Sequence, residues 1–356
     1  MKRKTKATII IITLLGLMLI GGSFLYTYFL MPVDKNSDAD IEVTIEPGMT
    51  SRDIGELLEK RNIIKNKDFF LLYLKLNDCN SLKASTYDLK KSMNLETVVD
   101  TLCKGNSYNE NVIKITFKEG KTVKDYVKVM SDSFGFDYDE SIETINDKKF
   151  LEGLIEKYWF LDSDILDDNI YYALEGYLAP DTYEFDKDIE FKEVIGVLLD
   201  HTDKVLQPYK SKINSSGYSV HEYLTLASMA ELEGLNSNDR KLIVGVFENR
   251  LKIKMSLGSD VTTYYGLQKS MDKDLTSDEF NKANYYNTRS SSMAGKLPIG
   301  PICNPSKVSI EAAFNPTDSK YLYFVADKNG KIYYNTTNEE HLRTVKEIKE
   351  AGNWIW

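Results

Sequence analysis

Twenty-five consecutive residues, Ala7 to Met31, carry no formal charge, and Lys2, Arg3, Lys4 and Lys6 stand directly before them. A helix of that length spans the hydrocarbon core of a bilayer, and a basic flank stays on the cytoplasmic side. The run is too long for the apolar core of a signal peptide, and no small-residue cleavage site closes it. The first cysteine, Cys79, comes too late to carry a lipid. The sequence therefore predicts a cytoplasmic tail over residues 1–6 and a single-pass transmembrane helix over 7–31. Everything after Pro32 is then extracytoplasmic, beginning with a polar linker over 32–40, PVDKNSDAD after Met31.

The 356 residues leave room for two or three domains, and 42% apolar composition is enough for real cores. A net charge of −9, with no basic stripe beyond the first six residues, argues against nucleic acid as a partner. The 23 tyrosines suit either sugar stacking or a tyrosine-rich core. Cys79, Cys103 and Cys303 have no metal-ligand spacing and form no disulfide framework. Cys103 ends the apolar helical pattern LETVVDTLC and reads most simply as a small buried hydrophobe. A Cys79–Cys103 bridge is the alternative in an oxidising compartment.

Two stretches repeat a strand, a glycine turn and a Thr-capped helix. They are IEVTIEPGMTSRDIGELL, with Thr50 and Asp53, and IKITFKEGKTVKDYVKVM, with Thr122 and Asp125. Between them FFLLYLKLN reads as a helix, followed by a short strand and a helix stopped by Gly105. This strand–helix–helix–strand unit, 41–110, resembles LysM-like domains, which bind N-acetylated glycans; a packing domain without ligand is the alternative. The polar break Asn106–Asn111 marks the boundary to a larger domain over 111–356.

That domain is organised around SVHEYLTLASMAELEG, Ser219 to Gly234. Ser219 and Glu222 make a capping box, and Gly234 is the expected left-handed stop. At about 100° per residue, Val220, Leu224, Ala227 and Glu231 share one stripe, so Glu231 is an acid where an apolar residue was due. A carboxyl on such a stripe loses hydration in its charged form and suits a general acid. Glu233 points the other way and reads as solvated charge. The competing reading of Glu231 is a helix-end acid paired with an arginine such as Arg240 or Arg250. Further on, Asp260 stands at a helix start, and YYNTRSSSMAGKLPIGPICNP is a long loop of the kind that usually carries function. KYLYFVADKNGKIYYNT is a hairpin with Asn-Gly in its turn, and Thr337 and Glu340 box a last helix. Tyr286, Asn287, Thr288, Tyr334, Asn335 and Thr336 offer the amide, hydroxyl and aromatic mixture that sugar sites use. No nucleophile elbow, metal cluster or phosphate loop is present, and of the histidines His201, His221 and His341 two lie in or beside helices, where a surface histidine is the default.

ASMAELEG, FENRLKIKMSLGSDVTTYYG, YNT, GKLPIGPICNP, KYLYFVAD and the NT…H ending together resemble the endolytic murein transglycosylases of the YceG-like family. LEGYLAPDTYEF and the amino-terminal anchor fit the same pattern, with departures at Gly234 and Val261. The resemblance implies cleavage of the bond between N-acetylmuramic acid and N-acetylglucosamine in peptidoglycan strands, with no cofactor or metal. Residue-by-residue matching puts the acid/base at Glu231. Asp260, Thr262, Tyr286, Asn287 and Asn335 are expected around the glycan, and membrane peptidoglycan synthases as partners. The expected architecture is α+β: a transmembrane helix, a small LysM-like α+β domain and a larger α+β catalytic domain, its acid helix under the loop and the hairpin. Two rivals remain. One is a two-carboxylate muramidase using Asp260; the other is a non-catalytic membrane-anchored scaffold that binds peptidoglycan.

Overall fold

The structure, a computed structural model, describes residues 22, 24–37, 39–77, 79, 82–105 and 112–354. Most of the expected membrane span, 7–31, lies outside them, as does the polar break at 106–111. The described end of the span, 24–30, is helical, and among the described residues no helix is long and apolar enough to cross a membrane. The chain divides between Glu110 and Asn111 into two compact units, each with its own hydrophobic core.

The first unit runs β1 (Asp40–Ile45), α1 (Ser51–Lys60), α2 (Lys67–Leu76), β2 (Ser85–Lys90) and α3 (Leu95–Lys104). β1 and β2 pair antiparallel, Asp40 opposite Lys90 and Ile45 opposite Ser85. Their alternation turns Val43, Ile45, Tyr87 and Leu89 inward, where Leu58, Phe70, Val98 and Leu102 complete the core. Thr50 and Asp53 exchange the two hydrogen bonds of a capping box, and α3 ends at Gly105 with φ +76°.

Cys103 is only half-buried, and it forms a disulfide with Cys79. The last turn of α3 brings it beside the segment that leaves α2, which an apolar periodicity cannot reveal. The bridge closes a loop of sequence separation 24. Reduction, or Cys103→Ser, is therefore expected to cost the first unit about 3 kcal/mol. Urea unfolding with and without reductant measures it.

The second unit continues with β3 (Val112–Thr116), α4 (Val123–Phe134), α5 (Tyr138–Ile145), α6 (Lys148–Lys157), β4 (Thr182–Asp186), α7 (Phe191–Leu206), α8 (Val220–Glu233), α9 (Ser237–Lys252), α10 (Asp260–Gly266), α11 (Lys307–Phe314), β5 (Tyr323–Ala326), β6 (Ile332–Asn335) and α12 (Asn338–Glu350). β3 pairs antiparallel with β4, and β5 with β6. The architecture is mixed α+β, with helices around small two-stranded sheets. The repeated strand–turn–helix is present locally in both units, with Gly48 and Gly120 at positive φ and Thr122–Asp125 boxing α4.

α8 is the centre of this unit, packed by α9, α10 and α11. Its capping box is formed as the sequence predicts, but burial does not follow one stripe. His221, Tyr223, Thr225, Leu226, Ser228, Met229 and Ala230 are buried together with Val220, Leu224 and Ala227. A helix enclosed on every side has no solvated face. Gly234 is extended, with φ −105°, so it is not a left-handed stop. Its missing side chain serves close approach instead: a Cβ would stand 2.7 Å from Arg240 Cγ and 3.1 Å from Arg240 N. His221 is likewise interior. Its Nε2 lies 2.8 Å from the Ile299 carbonyl and so carries the proton, and Nδ1 then accepts from the Tyr177 hydroxyl at 2.8 Å.

Glu175 is the most deeply buried acid, 1% exposed. Val123 N donates to one oxygen at 2.9 Å and the Tyr265 hydroxyl to the other at 2.9 Å. Desolvation dominates these bonds and pushes its pKa up to about 8 from an ordinary 4.5. A raised carboxyl means that the folded state holds a proton the unfolded chain has released. Stability therefore falls as pH climbs from about 4.5 to about 8 and levels off above. Glu175→Gln imitates the protonated acid and is expected to flatten that slope in thermal melts across the same range.

Candidate active site

The carboxyl end of α8 carries two acids whose surroundings differ. Glu231 is enclosed by donors. Arg240 Nη2 reaches its Oε1 at 2.8 Å, and Ser306 gives its Oε2 both a backbone N–H at 2.9 Å and its hydroxyl at 2.6 Å. The two charged side chains are 6% and 14% exposed. Arg240 also binds the Gly234 carbonyl through Nε at 3.2 Å, and Ser306 caps α11. Glu231 thus ties α8 to the starts of α9 and α11. The arginine-paired reading is the geometry present. Removing one member strands a buried charge, so Glu231→Ala is expected to cost about 3 kcal/mol in equilibrium unfolding.

Glu233 is the acid that loses hydration. Its solvated assignment rested on the angle from one apolar stripe, and α8 has no wet face for it to occupy. The Ser259 hydroxyl donates to its Oε1 at 2.6 Å. Desolvation holds its pKa above the ordinary carboxylate range; the Ser259 bond opposes this, the Asp260 charge adds to it, and Arg289 and Arg250 oppose it. The pattern VHEYLTLASMAELE has few polar residues on any side, and that was the signal for burial all round.

Glu233 opens into a cleft of about 340 Å³ with Arg250, Asp260, Arg289, Phe324, His341 and Trp354 in its walls. The β5–β6 hairpin supplies one wall, through Phe324, Val325, Ala326 and Ile332. Arg250 is buried and spent on structure: Nε donates to the Leu322 carbonyl and Nη1 to the Leu257 carbonyl, both at 2.5 Å. Arg289 is exposed, and its Nε holds the Asp260 carboxylate. A second groove of about 390 Å³ lies against Leu232 and Val261, with Lys121, Lys124, Tyr172 and Tyr264 in its lining. Among the described residues no group of three or more His, Cys, Asp or Glu is placed to hold a metal ion.

The five residues expected around a glycan separate. Asp260 borders the cleft. Thr262 is fully buried, donating to the Ser259 carbonyl at 2.7 Å and paired with the Thr288 hydroxyl at 2.8 Å. Asn287 is fully buried too; its Oδ1 accepts from Thr263 at 2.7 Å while Nδ2 donates to the Phe280 and Lys282 carbonyls. Tyr286 is 1% exposed and packs between Tyr171 and Tyr265, each 4.9 Å away ring to ring. Asn335 ends β6 and donates to Thr344 at 3.1 Å. The sequence offered polar groups in a long loop, but Asn287 and Thr288 of that loop bond to Thr263 and Thr262 of α10, so Thr262, Tyr286 and Asn287 face the interior. Glu233, Arg289 and Trp354 stand at the cleft in their place, with the buried Ser259 behind Glu233.

Fold and cleft define a mixed α+β protein with a desolvated carboxyl at a helix end under a hairpin. Residues 43–347 match the YceG-like family, and the chain belongs to it. It is 34% identical over 340 residues to the endolytic murein transglycosylase of Bacillus subtilis, covering 94% of this chain and 92% of that one. It is 36% identical over 353 residues to the protein of the same name from Streptococcus pneumoniae D39, of whose length it spans 63%. A 2.6 Å crystal structure of a YceG-like protein from Listeria monocytogenes matches with a TM-score of 0.61 at 32% identity. That match covers 86% of this chain and 99% of the other.

Proposed function

We propose that this chain is a membrane-anchored endolytic lytic transglycosylase. It cleaves the bond between N-acetylmuramic acid and N-acetylglucosamine within peptidoglycan strands and leaves 1,6-anhydromuramyl ends. The relatives' names supply the substrate and the reaction class. The observation that carries the site is the Glu233 carboxyl, desolvated, raised in pKa and open to the cleft.

Glu233 in its protonated form donates to the glycosidic oxygen as the bond to the anomeric carbon breaks. The carboxylate then takes the proton of the muramyl 6-hydroxyl, whose oxygen closes on the anomeric carbon. The proton returns to the acid, and no water is consumed. One carboxyl therefore suffices, whereas hydrolysis normally engages a second acid. Asp260, the second acid of the muramidase alternative, is engaged by Arg289. The sequence favoured Glu231 for the proton, but both its oxygens already accept from Arg240 and Ser306, which suits it to hold the end of α8 in place.

The uncharged run 7–31 anchors the chain, with the remainder extracytoplasmic. The Cys79–Cys103 disulfide supports that side, since disulfides persist in oxidising compartments. The first unit serves as a LysM-like module that holds glycan, and membrane peptidoglycan synthases are the natural partners.

Full-length protein in detergent, incubated with uncross-linked peptidoglycan strands, tests the reading through mass spectrometry of the new chain ends. Anhydro ends are expected from wild type and from Glu231→Gln wherever it folds, and none from Glu233→Gln. Turnover should decline as pH rises through the elevated pKa of Glu233. Reducing ends would move the reaction to a muramidase. Anhydro ends from Glu233→Gln, with none from a folded Glu231→Gln, would return the acid role to Glu231. No new ends from wild type, with glycan still bound, would leave a scaffold.

A further inference from the structure

The last turn of α12 is followed by a tail that returns to the hairpin. Asn353 N donates to the Ile348 carbonyl at 3.0 Å, closing the turn. The hairpin turn then grips the tail twice. Lys328 N donates to the Asn353 carbonyl at 2.8 Å, and Lys328 Nζ donates to the Gly352 carbonyl at 2.6 Å. These bonds fix the backbone on both sides of Asn353 and deliver the next residue, Trp354, into the wall of the Glu233 cleft.

Trp354 is half-buried, so part of its indole is covered and part is available. Lys349 Nζ lies over the ring, 4.6 Å from its centroid, and that cation covers the side it occupies. Phe324 and His341 share the cleft wall, while Asp260 and Arg289 border the same space. An aromatic side chain, hydrogen-bonding groups and a carboxyl lining one cleft are the composition that suits a pyranose ring. Its C–H face packs on the indole and its hydroxyls meet the charged rim. Trp354 also stands beyond the segment matching the family, which ends at residue 347.

We propose that Trp354 is the stacking platform of a sugar subsite in the Glu233 cleft, binding one N-acetylated pyranose of the strand. The proposal rests on the glycan-cleaving reading of that cleft. It makes Trp354 a binding residue, so its loss weakens ground state and transition state alike and appears in KM with little change in kcat.

The test compares wild type with Trp354→Ala, Trp354→Leu and Trp354→Phe on uncross-linked strands. KM is expected to rise roughly tenfold in the Ala and Leu variants, and Phe is expected to recover most of the loss because it keeps an aromatic face. Leucine separates the roles: it fills the space without stacking, so a purely structural tryptophan would be replaced by it. A tetramer of N-acetylglucosamine is the binding probe. It should shift the tryptophan emission of wild type and leave that of Trp354→Phe unshifted. An unchanged KM in a folded Trp354→Leu, or an emission shift that survives Trp354→Phe, would overturn the subsite. If wild type cleaves no strand, the parent reading fails first. The emission experiment then decides separately whether the cleft binds sugar through Trp354.

Discussion

The second unit of this protein depends on one buried ion pair. Glu231 and Arg240, with Ser306 completing the shell, join the end of α8 to the starts of α9 and α11. A carboxylate this enclosed is tolerable because both its oxygens accept, one from Arg240 and the other twice from Ser306. The geometry around it is correspondingly tight. Gly234 lies so close to Arg240 that no Cβ fits, and Gly120, at φ +69°, brings the first turn of its segment against Glu231 and Leu232. Once the pair is formed, the last turn of α8 has no freedom to rotate, and the direction of Glu233 follows. One acid is immobilised so that the other, two residues on, can be aimed.

What surrounds Glu233 is built by the same logic at one remove. Ser259 holds its carboxyl, and Ser259 in turn is held through its backbone N–H by the Thr288 hydroxyl at 3.0 Å. Thr262 bonds to both partners, and Thr263 reaches Asn287. These small polar side chains never meet the cleft, yet their satisfied network fixes the start of α10 and with it Asp260. A network fully paired in a low-dielectric interior is stiff, and stiffness here sets the position of the carboxyl.

Much of the fold was legible in the sequence wherever the signal was local. Thr50–Asp53, Thr122–Asp125, Ser219–Glu222 and Thr337–Glu340 all form the boxes their spacing implies, and the Asn-Gly turn lies between β5 and β6. What was not legible depends on which elements meet. The helical angle places Glu233 correctly but not its environment, because one apolar stripe does not reveal a helix that is buried on all faces. The Tyr286–Asn287 stretch has the composition of a sugar site and the burial of a core. Composition records which groups are present, while tertiary packing decides which way they face. The Cys79–Cys103 pair, legible only as the alternative to a buried Cys103, is present for the same reason: two segments far apart in the pattern are neighbours only once α2 and α3 have packed.

The third cysteine gives that pairing a further meaning. Cys303 is fully buried, and burial pushes its thiol well above the ordinary range. A buried thiol held toward its protonated form is a poor partner in exchange, which disfavours attack by Cys303 on the disulfide. During synthesis this protection is absent, but the two bridging cysteines come first in the chain, and the first unit has its own core in which to pair them. Order of emergence thus guards the correct bridge early, and burial guards it afterwards. The odd cysteine is safe because it arrives late and then disappears into the core.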